Sequence, residues 1–208
     1  PLTAEKFSGG QSNPTFKLTA GDRQYVLRRK PQGTLLASAH AVDREFKVLS
    51  ALSSTNVPVP VPVALCDDET IIGSMFYVME YLEGRIFWDP ALPEVNDADR
   101  GEIYDQMNQV LADMHNVDIS AVGLSDYGKP GNYFERQIGR WTKQYRAAET
   151  TRIPAMEKLI EWLPNHMPED DGRVSLVHGD YRLDNMIFHP TEPKIIGVLD
   201  WELSTLGH

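Results

Sequence analysis

The sequence of 208 residues contains a single cysteine, Cys66, and no run of about 18 apolar residues. A single cysteine excludes a disulfide within the chain and fits a reducing compartment, so we expect a cytoplasmic protein without membrane insertion. Internal repeats and low-complexity tracts are also missing, which excludes repeat architectures.

Basic residues are scarce as well: 20 Lys and Arg face 30 Asp and Glu, for a net charge of -10. Phosphate-backbone binding rests on clustered Lys and Arg, and the only visible run of them is Arg28-Arg29-Lys30. We therefore expect no nucleic-acid partner. A nucleotide held through Mg²⁺ remains compatible with this charge, because the metal needs carboxylates.

The apolar patterns predict an α+β protein in two parts. In the first part we expect one helix over 39–52 and strands at 15–20, 24–30, 63–66 and 74–80. In the second part we expect a helix capped by Asp97 and running to about 116, helices at 132–148 and after Pro154, and short strands at 174–178, 186–189 and 194–199. A connector at 80–84 divides the chain into domains 1–80 and 81–208.

Glu45 interrupts the apolar stripe of the first predicted helix, since on a helical wheel it lies between Leu49 and Leu52. A carboxylate at such a position is costly unless its head reaches water or meets a positive partner. Arg28 and Lys30 alternate with Arg29 and so point to one face of the preceding strand. Either could be that partner.

Ionisable and amide side chains follow the short apolar strands of the second part. Val174–Val177 leads directly into His178-Gly179-Asp180, and Asn185 precedes the next apolar run. Asp200 follows the third. Asp and Asn often stabilise turns, which would explain each residue alone, but buried strand ends that carry several such groups are typical of functional sites.

The spacing matches the catalytic loop of protein kinases, in which H-x-D is followed five residues later by Asn and a metal-binding Asp follows another strand. Phosphoryl transfer requires positioning and charge neutralisation more than covalent chemistry. One carboxylate orients the acceptor hydroxyl, while an amide oxygen and a second carboxylate hold Mg²⁺. Asp180, Asn185 and Asp200 have the side chains for these tasks.

On these segments the chain resembles the aminoglycoside phosphotransferase family, and most of all the kinase-like domains associated with acyl-CoA dehydrogenases. The segments are 7–14, 154–157, 178–185 and 199–207. The resemblance implies a two-lobed protein-kinase-like fold, with a small antiparallel-sheet N-lobe and a mainly helical C-lobe. Because the sequence stops directly after an apolar strand, we expect this C-lobe to be truncated.

The resemblance also implies the residues of the site. The catalytic residues would be Asp180, as the base, and Arg182, as a cation against the transferred phosphate. The Mg²⁺ ligands would be Asn185 and Asp200. The residues that bind ATP would be Gly10, Ser12 and Asn13 over the phosphates, Arg28 with its helix partner Glu45, and Glu80 and Leu82 in the adenine connector.

Some positions depart from the kinase pattern. Arg28 replaces the usual lysine, which leaves Lys30 as an alternative phosphate contact. Glu202 lies two residues beyond Asp200, where it could add a metal contact. His178 is expected to support its loop by hydrogen bonding rather than to act as a base.

The reaction predicted is ATP-dependent phosphorylation of a small-molecule hydroxyl, with a hydroxyacyl-CoA favoured over an aminoglycoside and an acyl-CoA dehydrogenase as a partner. One alternative is a catalytically inactive nucleotide-binding module. Another is a metal-dependent phosphoesterase, suggested by Asp113-Met114-His115 and by the near G-D-x-x-D spacing of Gly179, Asp180 and Asp184. Mg-dependent turnover separates the first alternative from a kinase.

Overall fold

A computed structural model of the chain describes residues 1–7, 13–31, 41–129 and 131–208. Its first part is built on a five-stranded antiparallel sheet with the strand order β1-β2-β3-β5-β4. The strands are β1 (Leu2–Lys6), β2 (Thr15–Ala20), β3 (Arg23–Arg29), β4 (Pro62–Cys66) and β5 (Phe76–Glu80).

The hairpin predicted around Gly21-Asp22 is confirmed. β2 and β3 pair from Thr15 opposite Arg28 to Ala20 opposite Arg23. Gly21 has a φ of 62°, a left-handed conformation that glycine adopts without the steric cost of a Cβ. The close turn fixes the register, and the register places Arg28 near the far end of the hairpin.

One helix, α1 (Val42–Leu52), packs against this sheet at β4 and β5. It lies within the predicted range 39–52, of which residues 39 and 40 fall outside the described chain. Its buried side chains are Val42, Glu45, Val48, Leu49 and Leu52, so the apolar stripe faces the core and includes the anomalous glutamate. A short helix that the sequence did not predict, α2 (Glu69–Ile72), lies between β4 and β5.

The second part begins with three helices, α3 (Asp97–His115), α4 (Tyr133–Ala148) and α5 (Pro154–Trp162). The predicted cap of α3 was wrong by one residue: Asn96 caps the helix, and its side chain accepts a hydrogen bond from the Asp99 backbone N–H. α3 buries Ile103, Val110 and Met114, whereas no side chain of α4 or α5 is fully buried among the described residues.

Four short strands complete the second part as two antiparallel pairs, β6 with β9 and β7 with β8. They are β6 (Ser175–Val177), β7 (Met186–Phe188), β8 (Ile195–Val198) and β9 (Thr205–Gly207). The sequence predicted the first three of them. Single turns of 3₁₀-helix at Leu183–Asn185 and Trp201–Leu203 connect them and position the polar segments between the strands.

The two parts join through the connector that follows β5. The backbones of Arg85 and Phe188 exchange two hydrogen bonds of 2.8 Å, which attach the connector to the β7–β8 pair. The predicted architecture, a small antiparallel sheet followed by a mainly helical part with short strands, is confirmed. Among the described helices, none has the length and apolar character needed to cross a bilayer.

Candidate active site

Arg28 and Glu45 meet between β3 and α1. The Nε atom of Arg28 lies 3.1 Å from Glu45 Oε2, an ion pair without hydrogen-bond geometry, and the Tyr77 hydroxyl donates a 2.8 Å hydrogen bond to the same oxygen. Glu45 is only 1% exposed. Among the described residues Arg28, rather than Lys30, is therefore the partner that the sequence left open.

Burial raises the pKa of Glu45 to about 7, although Arg28 and the Tyr77 hydroxyl oppose that rise. Burial also acts to lower the pKa of Arg28, but the surrounding negative groups outweigh this effect and raise it. The guanidinium therefore stays charged while Glu45 titrates near neutrality. Glu45 Oε1 is buried without a hydrogen-bond partner in the described part of the chain, a costly state for a carboxylate oxygen.

Arg28 also reaches the segment after β8. Its Nη2 atom donates a 2.7 Å hydrogen bond to Asp200 Oδ1 and lies 3.7 Å from Glu202 Oε2. Asp200 adopts a left-handed backbone with a φ of 64°, which is uncommon for a residue that carries a Cβ. This strained position is held by β8, by the following 3₁₀ turn and by the pair with Arg28.

His178 holds the loop between β6 and β7 in place. Its Nε2 lies 2.9 Å from the Leu199 carbonyl oxygen, and its Nδ1 accepts a 3.3 Å hydrogen bond from the Asp180 backbone N–H. These contacts require a neutral ring protonated on Nε2, and burial lowers the pKa of His178, which favours that form. The expected support by hydrogen bonding is confirmed.

Gly179 has to be glycine. Its φ is 88°, and a Cβ at this position would lie 2.6 Å from the Leu203 carbonyl oxygen. The loop can therefore pass closely under the 3₁₀ turn that follows Asp200. This close approach places Asp180 beside the Asp200 segment.

Asp180 and Asn185 are joined directly. The Asn185 side-chain amide donates to the Asp180 carbonyl oxygen at 2.9 Å and to Asp180 Oδ2 at 3.0 Å. With its nitrogen engaged, the Asn185 amide oxygen is the atom left to face a ligand. The Leu199 N–H donates to the Asn185 carbonyl oxygen at 2.8 Å, so the two predicted metal ligands sit on adjoining backbones.

The remaining predicted residues differ in whether they contact the Asp180, Asn185 and Asp200 segments. Arg182 is bidentate to its neighbour Asp184, at 2.5 and 2.6 Å, and is largely exposed. Asn13 is buried, and its Nδ2 donates to Glu202 Oε2 at 3.2 Å. Gly10 and Ser12 lie outside the described residues.

The connector residues Glu80 and Leu82 lie at the end of β5. Glu80 exchanges contacts with Val61, donating its N–H to the Val61 carbonyl oxygen and accepting from the Val61 N–H through its side chain. A Cβ on Gly197 would lie 2.5 Å from Leu82 Cδ1, so Leu82 packs directly over the β8 backbone. Leu82 therefore holds the connector against β8.

The donor set fits a divalent cation. Carboxylate oxygens of Glu45, Asp200 and Glu202 lie within 4.8 Å of one another, and the described residues contain no second group of this kind. Once Glu45 is ionised, above its raised pKa of about 7, Arg28 brings one positive charge against three negative ones, which leaves an excess of negative charge. Hard oxygen ligands, with the Asn185 amide nearby, are those that Mg²⁺ prefers.

The residues that suggested a phosphoesterase do not assemble. Asp113 lies within α3 and accepts a hydrogen bond from Gln109, one turn earlier on the helix. Neither Asp113 nor His115 belongs to the metal-type group found in the described chain. The site therefore centres on the kinase-like set.

One contributor to the site, Tyr77, was not predicted from the sequence. Tyr77, fully buried on β5, gives the hydrogen bond to Glu45, and its alternation with Met79 on an apolar strand carries no polar signal. Asn13 was predicted as a residue over the phosphates, but its hydrogen bond to Glu202, which joins residues 189 positions apart, was not predicted. Neither contact has a short-range signature in the sequence.

Comparison with known proteins finds relatives that match the whole of this chain. Acyl-CoA dehydrogenase family member 10 of Mus musculus is 56% identical over 207 residues, which is 100% of this chain and 19% of that protein. A crystal structure from Ralstonia eutropha, whose name places it among the aminoglycoside phosphotransferases, is 57% identical with a TM-score of 0.91. The match covers 100% of this chain and 61% of that one.

A thermostable mutant of aminoglycoside phosphotransferase APH(4)-Ia, solved with ADP and hygromycin B, shares the fold at 14% identity and a TM-score of 0.68, over 99% of this chain and 68% of that one. The chain thus spans about a fifth of the mouse protein and three fifths of the Ralstonia structure. The family model of the phosphotransferase enzyme family, APH, matches residues 3–208, and the chain belongs to that family.

Proposed function

We propose that the protein is an ATP- and Mg²⁺-dependent phosphotransferase that phosphorylates a hydroxyl group of a small molecule. The observation that carries the proposal is the link from Asn185 to the Asp180 carboxylate, which places a base and an amide oxygen on one loop. Membership of the phosphotransferase family supports the same reaction class.

In this proposal Asp180 orients the acceptor hydroxyl and accepts its proton, while Asn185 and Asp200 would hold Mg²⁺. The bound metal would neutralise charge on the phosphates. Arg28 steadies Asp200 through its 2.7 Å bond and offers positive charge on the phosphate side, as Glu45 fixes its guanidinium. Arg182 would supply a further cation once released from Asp184.

The nucleotide would lie between the sheet and the β7–β8 pair. Its phosphates would pass under Gly10, Ser12 and Asn13, and its adenine would meet the connector backbone at Glu80 and Leu82. The packing of Leu82 over Gly197 supports this placement, because it holds the connector against β8, the strand that leads to Asp200. A structural neighbour solved with ADP supports the use of a nucleotide.

For the acceptor we favour a hydroxyacyl-CoA over an aminoglycoside, with an acyl-CoA dehydrogenase as a partner. Relatives of this chain are named acyl-CoA dehydrogenase family members, which supports an acyl-CoA substrate. The test supplies purified full-length protein with Mg-ATP and either a hydroxyacyl-CoA or kanamycin. We expect faster transfer to the hydroxyacyl-CoA, and the reverse preference would contradict the acceptor.

A nucleotide-binding module without catalysis is the second candidate. The observation in its favour is the 2.7 Å bond that commits Asp200 Oδ1 to Arg28 and so engages a proposed metal ligand. This candidate predicts that the protein binds Mg-ATP without transferring phosphate to any acceptor. Turnover that depends on Asp180 would exclude it.

A further inference from the structure

A large cleft opens beside the catalytic loop, with a volume of about 880 Å³. It lies between the start of α1, one face of α4 and the backbone at Gly179 and 202–205. We call it the basic cleft, after the cationic side chains that line it: Lys30, Arg44, Lys129, Arg136 and Arg140.

The charge of the basic cleft contrasts with that of the whole chain. Five cationic side chains face two carboxylates, Asp43 and Glu202, whereas the chain carries a net charge of -10. Glu202 is already bonded to Asn13 and lies near Arg28. The lining therefore presents an excess of positive charge to whatever enters.

Most of these cations have no carboxylate partner in the described part of the chain. Lys30, Lys129, Arg136 and Arg140 form no ion pair there, whereas Arg146, farther along α4, is paired with Glu157. Arg136 donates to the Lys129 carbonyl oxygen at 2.8 Å, which holds the two residues together. Unpaired cations that converge on a cleft favour an anionic ligand.

Arg44 has a different task from the other four. Its guanidinium donates to the carbonyl oxygens of Tyr127 and Ser204, at 3.1 and 3.2 Å, and stacks over the Tyr127 ring. It therefore stabilises the wall of the cleft. The side chains left for a ligand are Lys30 on one side and Lys129, Arg136 and Arg140 on the other.

The position of the cleft connects it to the reaction. Gly179, which lines it, immediately precedes Asp180, and Glu202 lies two residues after Asp200. A molecule in the cleft would thus lie beside the loop that carries the proposed base. Trp141, which is 59% exposed, adds an aromatic surface at the same wall.

We propose that the basic cleft binds the acceptor through its phosphate groups, with Lys129, Arg136 and Arg140 as the residues that determine specificity. The inference rests on the proposed phosphotransfer and gives its acceptor a chemical class. A polycationic acceptor would meet like charges here, which disfavours binding. Phosphates would instead gain charge-assisted hydrogen bonds.

The test uses coenzyme A and pantetheine, which shares its thiol arm but lacks the phosphates. Each is titrated by calorimetry into full-length protein saturated with Mg²⁺ and AMP-PNP, so that the nucleotide site is blocked. We expect coenzyme A to bind at least about tenfold more tightly than pantetheine. The double variant Lys129→Gln/Arg140→Gln should lose about tenfold or more in that affinity.

Lys143→Gln is the matched control, because Lys143 is an exposed cation of α4 that does not line the cleft. It should bind coenzyme A as the unchanged protein does. Equal affinities for coenzyme A and pantetheine, no binding of coenzyme A, or an unaffected double variant would each overturn the inference.

The two proposals fail in different ways. If the chain is not a phosphotransferase, no acceptor will be phosphorylated in an Asp180-dependent manner, yet the binding of coenzyme A will still depend on Lys129 and Arg140. If the basic cleft does not bind the acceptor, phosphate transfer will proceed while the substitutions leave coenzyme A binding unchanged.

Discussion

At the level of single residues, the site depends on the Arg28 guanidinium, which contacts three carboxylates. Arg28 faces Glu45, Asp200 and Glu202 at 3.1, 2.7 and 3.7 Å, and its side chain is only 12% exposed. Buried carboxylates without such a partner would be costly. One arginine thus fixes the helix, the strand and the segment that follows β8 in a single arrangement.

Glu45 gives a prediction about pH. Its pKa rises from 4.5 to about 7 in the folded chain, so the folded state binds a proton more tightly than the unfolded state. The free energy of unfolding should therefore fall as pH rises from about 4.5 to about 7 and then level off. Urea denaturation of the metal-free protein across this window measures the effect.

Glu45→Gln supplies the comparison, since its amide keeps a similar shape but does not titrate. The variant should lose that component of the pH dependence. A variant that follows the same curve as the unchanged protein would show that Glu45 titrates in its ordinary range.

Sequence alone predicted that the Glu45 carboxylate either reaches water or meets a cation, and it could not choose between Arg28 and Lys30 as that cation. Both lie on one face of the predicted strand 24–30, and alternation along a strand says which way a side chain points but not which residue it reaches. The choice depends on how α1 docks on the sheet, which is a tertiary property. The cations of the basic cleft come from separate parts of the chain for the same reason, and no motif marked them.

At the scale of elements, the connector after β5 is packed tightly against the β7–β8 pair. A Cβ on Gly84 would lie 2.2 Å from the Phe188 carbonyl oxygen and 2.5 Å from Ile187 Cγ2. The Phe188 carbonyl belongs to the backbone, so it cannot move aside for an added methyl group as the end of a flexible side chain could. Gly84→Ala should therefore destabilise the protein by about 1–3 kcal/mol, measured by urea denaturation.

Gly101→Ala is the control for Gly84. Gly101 lies within α3, and a Cβ there would meet nothing within 4 Å. Alanine has the higher helix propensity, so the variant should gain about 0.5–1 kcal/mol. Equal losses in both variants would contradict the packing described for the connector.

The elements found from the sequence are those with a clear period or turn. The β2–β3 hairpin, α1, α3 and the three strands β6, β7 and β8 have apolar faces or glycine turns that local physics dictates. β1 is exposed along its whole length, so it has no burial pattern to detect, and β9 was not predicted although it buries Leu206 and Gly207. β1 forms because it pairs with β2, and β9 forms because it pairs with β6.

At the scale of the whole molecule, Arg44 ties α1 to the second part of the chain. It donates to carbonyl oxygens of Tyr127 and Ser204, two buried residues, and stacks over the Tyr127 ring. Arg44→Ala would leave both oxygens without this donor. We expect a loss of about 2 kcal/mol in the free energy of unfolding.

Lys47→Ala removes a neighbouring link of the same helix and serves as the matched control. Lys47 pairs with Asp126 at 2.6 Å, but both side chains are exposed. Such pairs contribute little, so the variant should change stability by less than about 1 kcal/mol. A larger loss for Lys47→Ala than for Arg44→Ala would contradict this account of how the two parts are held together.

In the proposed reaction Asp180 activates an acceptor hydroxyl for phosphate transfer, and transfer of labelled γ-phosphate from Mg-ATP measures this role directly. Asp180→Asn keeps an oxygen that can accept from the Asn185 amide, so folding and nucleotide affinity should persist. We expect the rate of transfer to fall by about 100-fold or more in this variant. Transfer at the rate of the unchanged protein would contradict it.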